Sequence, residues 1–167
     1  MNVHQPATIT ERNAGHALLH ERLMVEIGGI GLVGVDLCHS STMRGGIIAM
    51  RHRDKIVRAE AALWIHTGLT SVRLANTVDV MKKADPVDVV TIGGQQLTSL
   101  ERTALDLLIK DPESGIGYMG VLIRAGARLE KIKERAHALS LAGILRARSI
   151  LNQLPANFAQ IPPAQNP

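Results

Sequence analysis

The chain has 167 residues, enough for one substantial core, and 46% of them are hydrophobic, the share of an ordinary globular protein. Only 2% are aromatic, so the core must be aliphatic, and the stacking platforms that bind single-stranded nucleic acid are disfavoured. The net charge of +4 permits a polyanionic partner, and the single cysteine, Cys38, excludes an internal disulfide.

Met1 to Ala7 lacks a periodic pattern and reads as loose, with no basic-then-apolar leader. Thr8-Ile9-Thr10-Glu11 has capping-box spacing and opens a helix, with Leu18, Leu19, Leu23 and Met24 as its apolar face. Val25 to Leu37 alternates apolar residues with Gly28, Gly29, Gly31 and Gly34, which predicts one or two short strands or a buried glycine-rich loop. His39 to Gly46 reads as a turn, and Ile47 to Met50 as a short strand. Arg51-His52-Arg53-Asp54-Lys55 is a charged junction into a helix from about Asp54 to His66, with Ile56, Ala59 and Leu63 as its stripe and Val57, Ala61 and Trp64 at the edges. Gly68 closes that helix. Thr70 to Met81 alternates loosely and predicts a strand, and Lys82 to Pro86 a turn.

The segment from Val87 to Leu108 carries the densest set of agreeing signals. Val87 to Ile92 is β-branched and suits a strand; Gly93-Gly94 marks a turn, and Gln95 to Leu97 resumes an extended run. Thr98-Ser99-Leu100-Glu101 has capping-box spacing with Thr98 as the cap. Leu100, Ala104, Leu107 and Leu108 then form one helical stripe, which Asp111-Pro112 ends. Beyond it, Ser114 to Gly117 reads as flexible and Tyr118 to Ala125 as a short helix. Leu129 to Leu139 and Leu141 to Leu154 read as two more helices, and Pro155 to Pro167 as a tail. No segment approaches the roughly 18 uninterrupted apolar residues of a membrane span, so a cytoplasmic protein without a membrane partner is expected.

The stretch TSLERTALDLL resembles the T-S-P-E-R-T-x-x-D-L motif of the AbiEi family, the antitoxin and transcriptional-regulator half of type IV toxin–antitoxin systems. The matching residues are Thr98, Ser99, Glu101, Arg102, Thr103, Asp106 and Leu107; Leu100 stands where the family usually has proline. Upstream, Ala61 to Leu69 is similar to that family's S-A-A-x-L-H-G-L segment, with one extra residue between His66 and Gly68. The resemblance covers roughly residues 50 to 154. It implies a mixed α/β (α+β) C-terminal domain at 51–154: a small mixed sheet packed with helices and followed by a helical segment. Residues 1–50 would form a truncated or rebuilt winged helix and 155–167 a flexible tail. It further implies a non-catalytic regulator that binds operator DNA, counteracts a nucleotidyltransferase toxin, and uses its C-terminal region for dimerisation or cooperative binding. A nuclease-like enzyme domain and a purely protein-interaction or oligomerising domain are the alternatives.

Several side chains support competing readings. Arg51, Arg53, Lys55 and Arg58 form a basic run that a winged-helix protein would set against DNA phosphates, or that simply solvates a helix start. Residues 120–155 hold seven Lys/Arg against two Asp/Glu, where residues 1–50 hold three against four. That C-terminal set, Arg124, Arg128, Lys131, Lys133, Arg135, Arg146 and Arg148, spreads over more than one helical face and reads mainly as solvated surface. Arg102 and Asp106 are four apart, suited either to a recognition surface or, the favoured reading, to a buried ion pair that pins the helix. His66 reads as structural, and His16 and His20 lack the HExxH pattern of a zinc helix. Gly29-Ile30-Gly31-Leu32-Val33-Gly34 matches G-x-G-x-x-G without a convincing preceding strand or a following helix, so no cofactor is expected. Asp79, Asp85 and Asp88 with Lys82 and Lys83 are the only nuclease candidates, at the wrong spacing for one strand face. No catalytic residue and no metal ligand set is expected.

Overall fold

The computed structural model describes residues 8–70, 74, 76–155 and 158. Over these the chain is a mixed α/β fold of seven α-helices and two small sheets. Helix α1 (Ile9–His20) starts as its capping box predicts: the Thr8 hydroxyl accepts from the Glu11 amide at 3.2 Å, and the Glu11 carboxylate accepts from the Thr8 amide at 3.1 Å. Its apolar face is only partly realised, because Leu23 is exposed and Met24 already begins a strand. The glycine-rich run is a hairpin, β1 (Met24–Ile27) and β2 (Gly31–Gly34), with Val25 opposite Val33. Gly29, at φ 72°, takes the turn conformation that side chains avoid.

Where the sequence predicts a turn and a short strand, the chain forms one helix, α2 (Ser41–His52). The Ser40 hydroxyl caps it by accepting from the Met43 amide at 3.1 Å. Its two glycines lower helix propensity by about 1 kcal/mol each, and packing is the reason for the first of them. A Cβ at Gly45 would lie 2.1 Å from the Ile92 carbonyl oxygen, so only glycine lets α2 meet the neighbouring hairpin. The next helix also begins later than predicted. Ile56–Val57 is strand β3, and helix α3 (Ala59–Thr67) follows through a sharp junction with Ala59 at φ 51°. Gly68 closes α3 at φ 79°, as expected. The strand expected over Thr70 to Met81 shrinks to β4 (Val80–Met81); Leu74 and Asn76 are helical, and 71–73 and 75 lie outside the described residues.

Strands β5 (Val89–Ile92) and β6 (Gln95–Thr98) form the predicted hairpin about Gly93-Gly94. Val87 and Asp88, expected in the strand, belong to a 3-10 turn over Pro86–Asp88. The sheet order is β4-β3-β6-β5, with β3 parallel to β6 and the other neighbours antiparallel. Helix α4 (Leu100–Lys110) then starts one residue later than its spacing suggested. Ser99 is the cap, accepting from the Arg102 amide at 3.3 Å, because the Thr98 hydroxyl is committed to Thr103. Helix α5 (Pro112–Arg124) contains the residues Ser114 to Gly117 that read as flexible. Asp111 caps it, and a Cβ at Gly115 would lie 2.7 Å from the Leu108 Cα, so glycine there permits close crossing of α4 and α5. Helices α6 (Leu129–Ala138) and α7 (Ile144–Gln153) follow as predicted, α7 three residues late. Most of the expected tail, like Met1 to Ala7, lies outside the described residues.

Two apolar cores meet across α3. Leu63 and Ala59 pack with Leu105, Leu108, Met119, Leu122 and Ile132 on one side. Ala61, Ala62, Trp64 and Ile65 pack with Ile27, Val33, Ile47, Ile48 and Leu97 on the other. A helix apolar on every side must be buried on every side, which replaces the single stripe expected of it. The division expected at residue 50 falls inside α2, whose Ile47 and Ile48 share a core with Val57 and Trp64.

Replacing Gly45 with alanine should destabilise the protein by about 1–3 kcal/mol, the cost of overpacking a tight contact. Gly46→Ala should cost less, since the nearest atom to its added methyl is 3.8 Å away. Urea midpoints for the two variants compare them directly, and equal midpoints would remove the close-approach argument.

Candidate functional site

The motif residues of α4 converge on a buried charge cluster. Arg102, 5% exposed, donates through Nε to Asp106 Oδ1 at 3.0 Å and through Nη1 to Asp88 Oδ2 at 2.8 Å. Arg135 of α6 grips the same Asp88 with two bonds, Nε to Oδ1 at 2.8 Å and Nη2 to Oδ2 at 2.9 Å, and its Nη2 also reaches Asp85 at 3.0 Å. Arg58, from the junction between β3 and α3, donates to Asp106 Oδ1 at 3.0 Å. Three guanidinium groups thus face three carboxylates, which balances charge in a place where neither sign is tolerated alone. Asp106 Oδ2 is the one buried oxygen of the cluster without a hydrogen-bond partner.

Protonation follows from this geometry. Burial pushes the Asp106 carboxyl upward against the opposing pull of Arg58 and Arg102. Burial also works against the charged form of Arg102, but Asp106 and Asp88 more than offset it, so its pKa rises. Arg135 is raised first by its hydrogen bonds to Asp88. Asp85, at the solvent edge, is lowered by the Val87 amide and then by Arg135.

The other motif residues are equally engaged. Thr98 and Thr103 share a buried hydroxyl pair at 2.7 Å, and the Thr98 carbonyl oxygen lies 2.8 Å from His66 Nε2. Ser99 caps α4, and the Glu101 carboxylate accepts from the Arg128 amide at 3.4 Å. All six polar motif positions therefore hold the chain together, and the ion-pair reading of Arg102 and Asp106 is the one the fold adopts. The burial of His66 lowers its pKa, partly opposed by the bond to the Thr98 carbonyl.

The basic run divides. Arg51 and Arg53 are exposed, Lys55 is half-buried, and Arg58 turns inward to Asp106, so the four do not present one surface. Arg51 and Lys55 line a cleft of about 320 Å³ with His52, Thr77 and the Gly28–Gly29 turn. Both ring nitrogens of His52 are shielded there without a hydrogen-bond partner, an arrangement that costs about 1–3 kcal/mol per polar group. A second cleft, of about 380 Å³, runs between α6 and the Pro86–Asp88 turn, lined by Val87, Ser99, Glu101, Lys131 and Glu134.

Of the C-terminal basic set, Arg124, Arg128, Lys131 and Arg146 are exposed, while Arg148 binds the Ala136 and Leu139 carbonyls that end α6. His16 and His20 are exposed on α1. A strand, β1, does precede the G-x-G-x-x-G run, against expectation, but the run spans the β1–β2 turn and the antiparallel strand β2 and leads into a 3-10 turn at Val35–Cys38 rather than a long helix. The three acidic nuclease candidates are each engaged by a cation: Asp79 by Lys110, Asp85 by Arg135, and Asp88 by Arg102 and Arg135. Among the described residues no group of three His, Cys, Asp or Glu is arranged to hold a metal, and no helix is long and apolar enough to cross a membrane.

Two participants had no local signal. Arg135 lies 47 residues from Asp88, and its basic helix reads as solvated. Arg44, 6% exposed, donates to the Ile65 carbonyl at 2.9 and 3.1 Å and to the Cys38 carbonyl at 2.7 Å, within a segment that reads as a turn. No family model, curated protein or solved structure matches this chain.

Arg102→Met should cost about 3–5 kcal/mol, because it leaves Asp88 and Asp106 short of a buried partner. Arg102→Lys should recover little, since one ammonium cannot replace a fork that reaches two carboxylates in different directions. Chemical denaturation of both variants measures this; a wild-type midpoint for Arg102→Met would show that the cluster is not needed.

The His66 pKa is depressed in the fold, so the folded state binds fewer protons than the unfolded chain. Stability from this group is full above its unfolded value of about 6.5 and is lost as pH falls below it. His66→Gln should flatten the denaturation midpoint between pH 6.5 and 5 relative to wild type. An unchanged slope across that window would assign the pH response elsewhere.

Proposed function

We propose that this chain is a cytoplasmic, non-catalytic transcriptional regulator and antitoxin of the AbiEi type, which binds operator DNA and counteracts a nucleotidyltransferase toxin. The observation that carries this reading is the internal use of the motif. Thr98, Ser99, Glu101, Arg102, Thr103 and Asp106 cap, pin and cross-link the α4 unit, as a fold signature does and a set of reacting groups does not. The nuclease reading is disfavoured on charge. A carboxylate already paired to guanidinium is a poor ligand for a divalent cation, and Asp85 and Asp88 are so paired.

DNA contact on this reading falls to Arg51 and Arg53, both exposed, with Lys55 beside them. Arg58 contributes less than its place in the run suggests, because it is engaged with Asp106. Duplex affinity should fall with salt with a slope of about −0.9 per phosphate contact. The double variant Arg51→Ala, Arg53→Ala should reduce that slope by about two while sequence preference persists, since phosphate contacts position without specifying. Titrating the upstream region of the protein's own gene and a random duplex at two salt concentrations tests both parts. Equal affinity for the two duplexes would remove operator binding and leave the antitoxin reading on its own.

A further inference from the structure

We propose that the cleft between the C-terminal end of α2 and the Gly28–Gly29 turn is a phosphate-binding site, with Arg51 and Lys55 supplying charge and the His52 imidazole supplying a hydrogen-bond donor. The cleft, about 320 Å³, holds on the order of ten water volumes, and no carboxylate lines it. Gly29 leaves its side of the turn bare: nothing lies within 4 Å of where a Cβ would stand, and its φ of 72° disfavours any side chain. Both His52 ring nitrogens are without partners and shielded from solvent, so an acceptor reaches the donor that the fold has left unused once the ring turns toward the cleft it lines. A tetrahedral oxyanion carries acceptors enough for all three groups.

This goes beyond the operator reading, with which it shares Arg51 and Lys55, because it adds His52 and with it a dependence on pH. Burial first, and then Lys55 and Arg51, hold the imidazole below its usual pKa, with Asp54 pulling the other way; Gln95, which bonds the His52 carbonyl, is uncharged. A bound anion reverses the balance and raises the value, so binding takes up a proton. Affinity therefore rises as pH falls through the window between the two values, by at most about tenfold per pH unit for one proton. The phosphate could be the phosphodiester of a nucleic acid or the terminal group of a small monoester.

Sulfate is the suitable first probe, because it is a dianion throughout this range. We expect sodium sulfate, titrated at constant ionic strength into the full chain, to move the His52 ring resonances, which are assigned by their loss in His52→Gln. Binding should be severalfold tighter at pH 6 than at pH 8. Arg51→Gln, at an exposed position, should weaken it severalfold at both pH values, and His52→Gln should abolish the pH dependence. Unmoved His52 resonances, equal affinity at the two pH values, or indifference to Arg51→Gln would each overturn the site. Competition by adenosine monophosphate or by random duplex then identifies the monoester or the phosphodiester as the source. Duplex binding without sulfate binding would sink the cleft and spare the operator reading; sulfate binding without operator preference would do the reverse.

Discussion

The shared grip of Arg102 and Arg135 on Asp88 is the contact on which the C-terminal half of this fold depends. Asp88 is fully buried at the end of a 3-10 turn, and a carboxylate there is tolerated only because two guanidinium groups meet it. Arg102 carries the constraint along α4 to Asp106, and Asp106 passes it to Arg58 at the entrance to α3. Four chain segments are thereby fixed in register: the turn before β5, the first turns of α4, the middle of α6 and the junction of β3 with α3. Each of these contacts has a direction, and hydrophobic burial has none. The apolar residues of α4, α5 and α6 supply the driving force, and the cluster selects which arrangement of those helices is occupied.

The same division of labour explains α3. Apart from Glu60 and the final His66 and Thr67 its residues are apolar, so apolar packing alone leaves its rotation open, and Ala59 at φ 51° shows how tightly its start is held. Polar contacts at both ends settle the matter. Arg58 anchors the start through Asp106, and Arg44 from α2 binds the Ile65 carbonyl near the end. Because α3 belongs to both cores, the β1–β2 hairpin and α2 are not an appendage to the C-terminal region. They complete the second wall around Trp64 and Ile65.

What could be read from the sequence depended on whether the cause was local. The capping box of α1, the glycine closing α3, the hairpin at Gly93-Gly94 and the stop at Asp111-Pro112 all act over four residues or fewer, and each appears where its residues placed it. Two of the misreadings share one origin, which is that glycine has two meanings. Gly45 and Gly115 looked like helix breakers, yet both sit inside helices, where the missing Cβ admits a neighbouring backbone. Ile56–Val57 failed for a related reason: two β-branched residues suit a helix edge as well as a strand, and only pairing with Leu97 and Val80 decides. At α4 the capping role moved from Thr98 to Ser99 because Thr103, five residues on, took the Thr98 hydroxyl. Of the cluster, the pair Arg102–Asp106 was legible from its spacing. Its links to Asp88, Arg135 and Arg58 span 14 to 48 residues, beyond any local pattern.

The cluster also changes what the net charge means. Arg44, Arg58, Arg102, Arg135 and Arg148 all spend their guanidinium groups on carbonyls or carboxylates of the chain itself, and Lys110 is held between Glu60 and Asp79. A formal excess of cations therefore overstates the positive potential that a polyanion would meet. What faces solvent is patchier: Arg22 after α1, Arg51 and Arg53 at one junction, Lys82 and Lys83 after β4, and Arg124, Arg128, Lys131 and Arg146 on the C-terminal helices, the last group interspersed with Glu130 and Glu134. At the end of α2, cations gather around a cleft with no acid in its lining. Electrostatic attraction scales with this local imbalance and not with the total, since charges more than about a Debye length apart are screened from one another. The end of α2 has such an imbalance, and it lies at the opposite core from the motif.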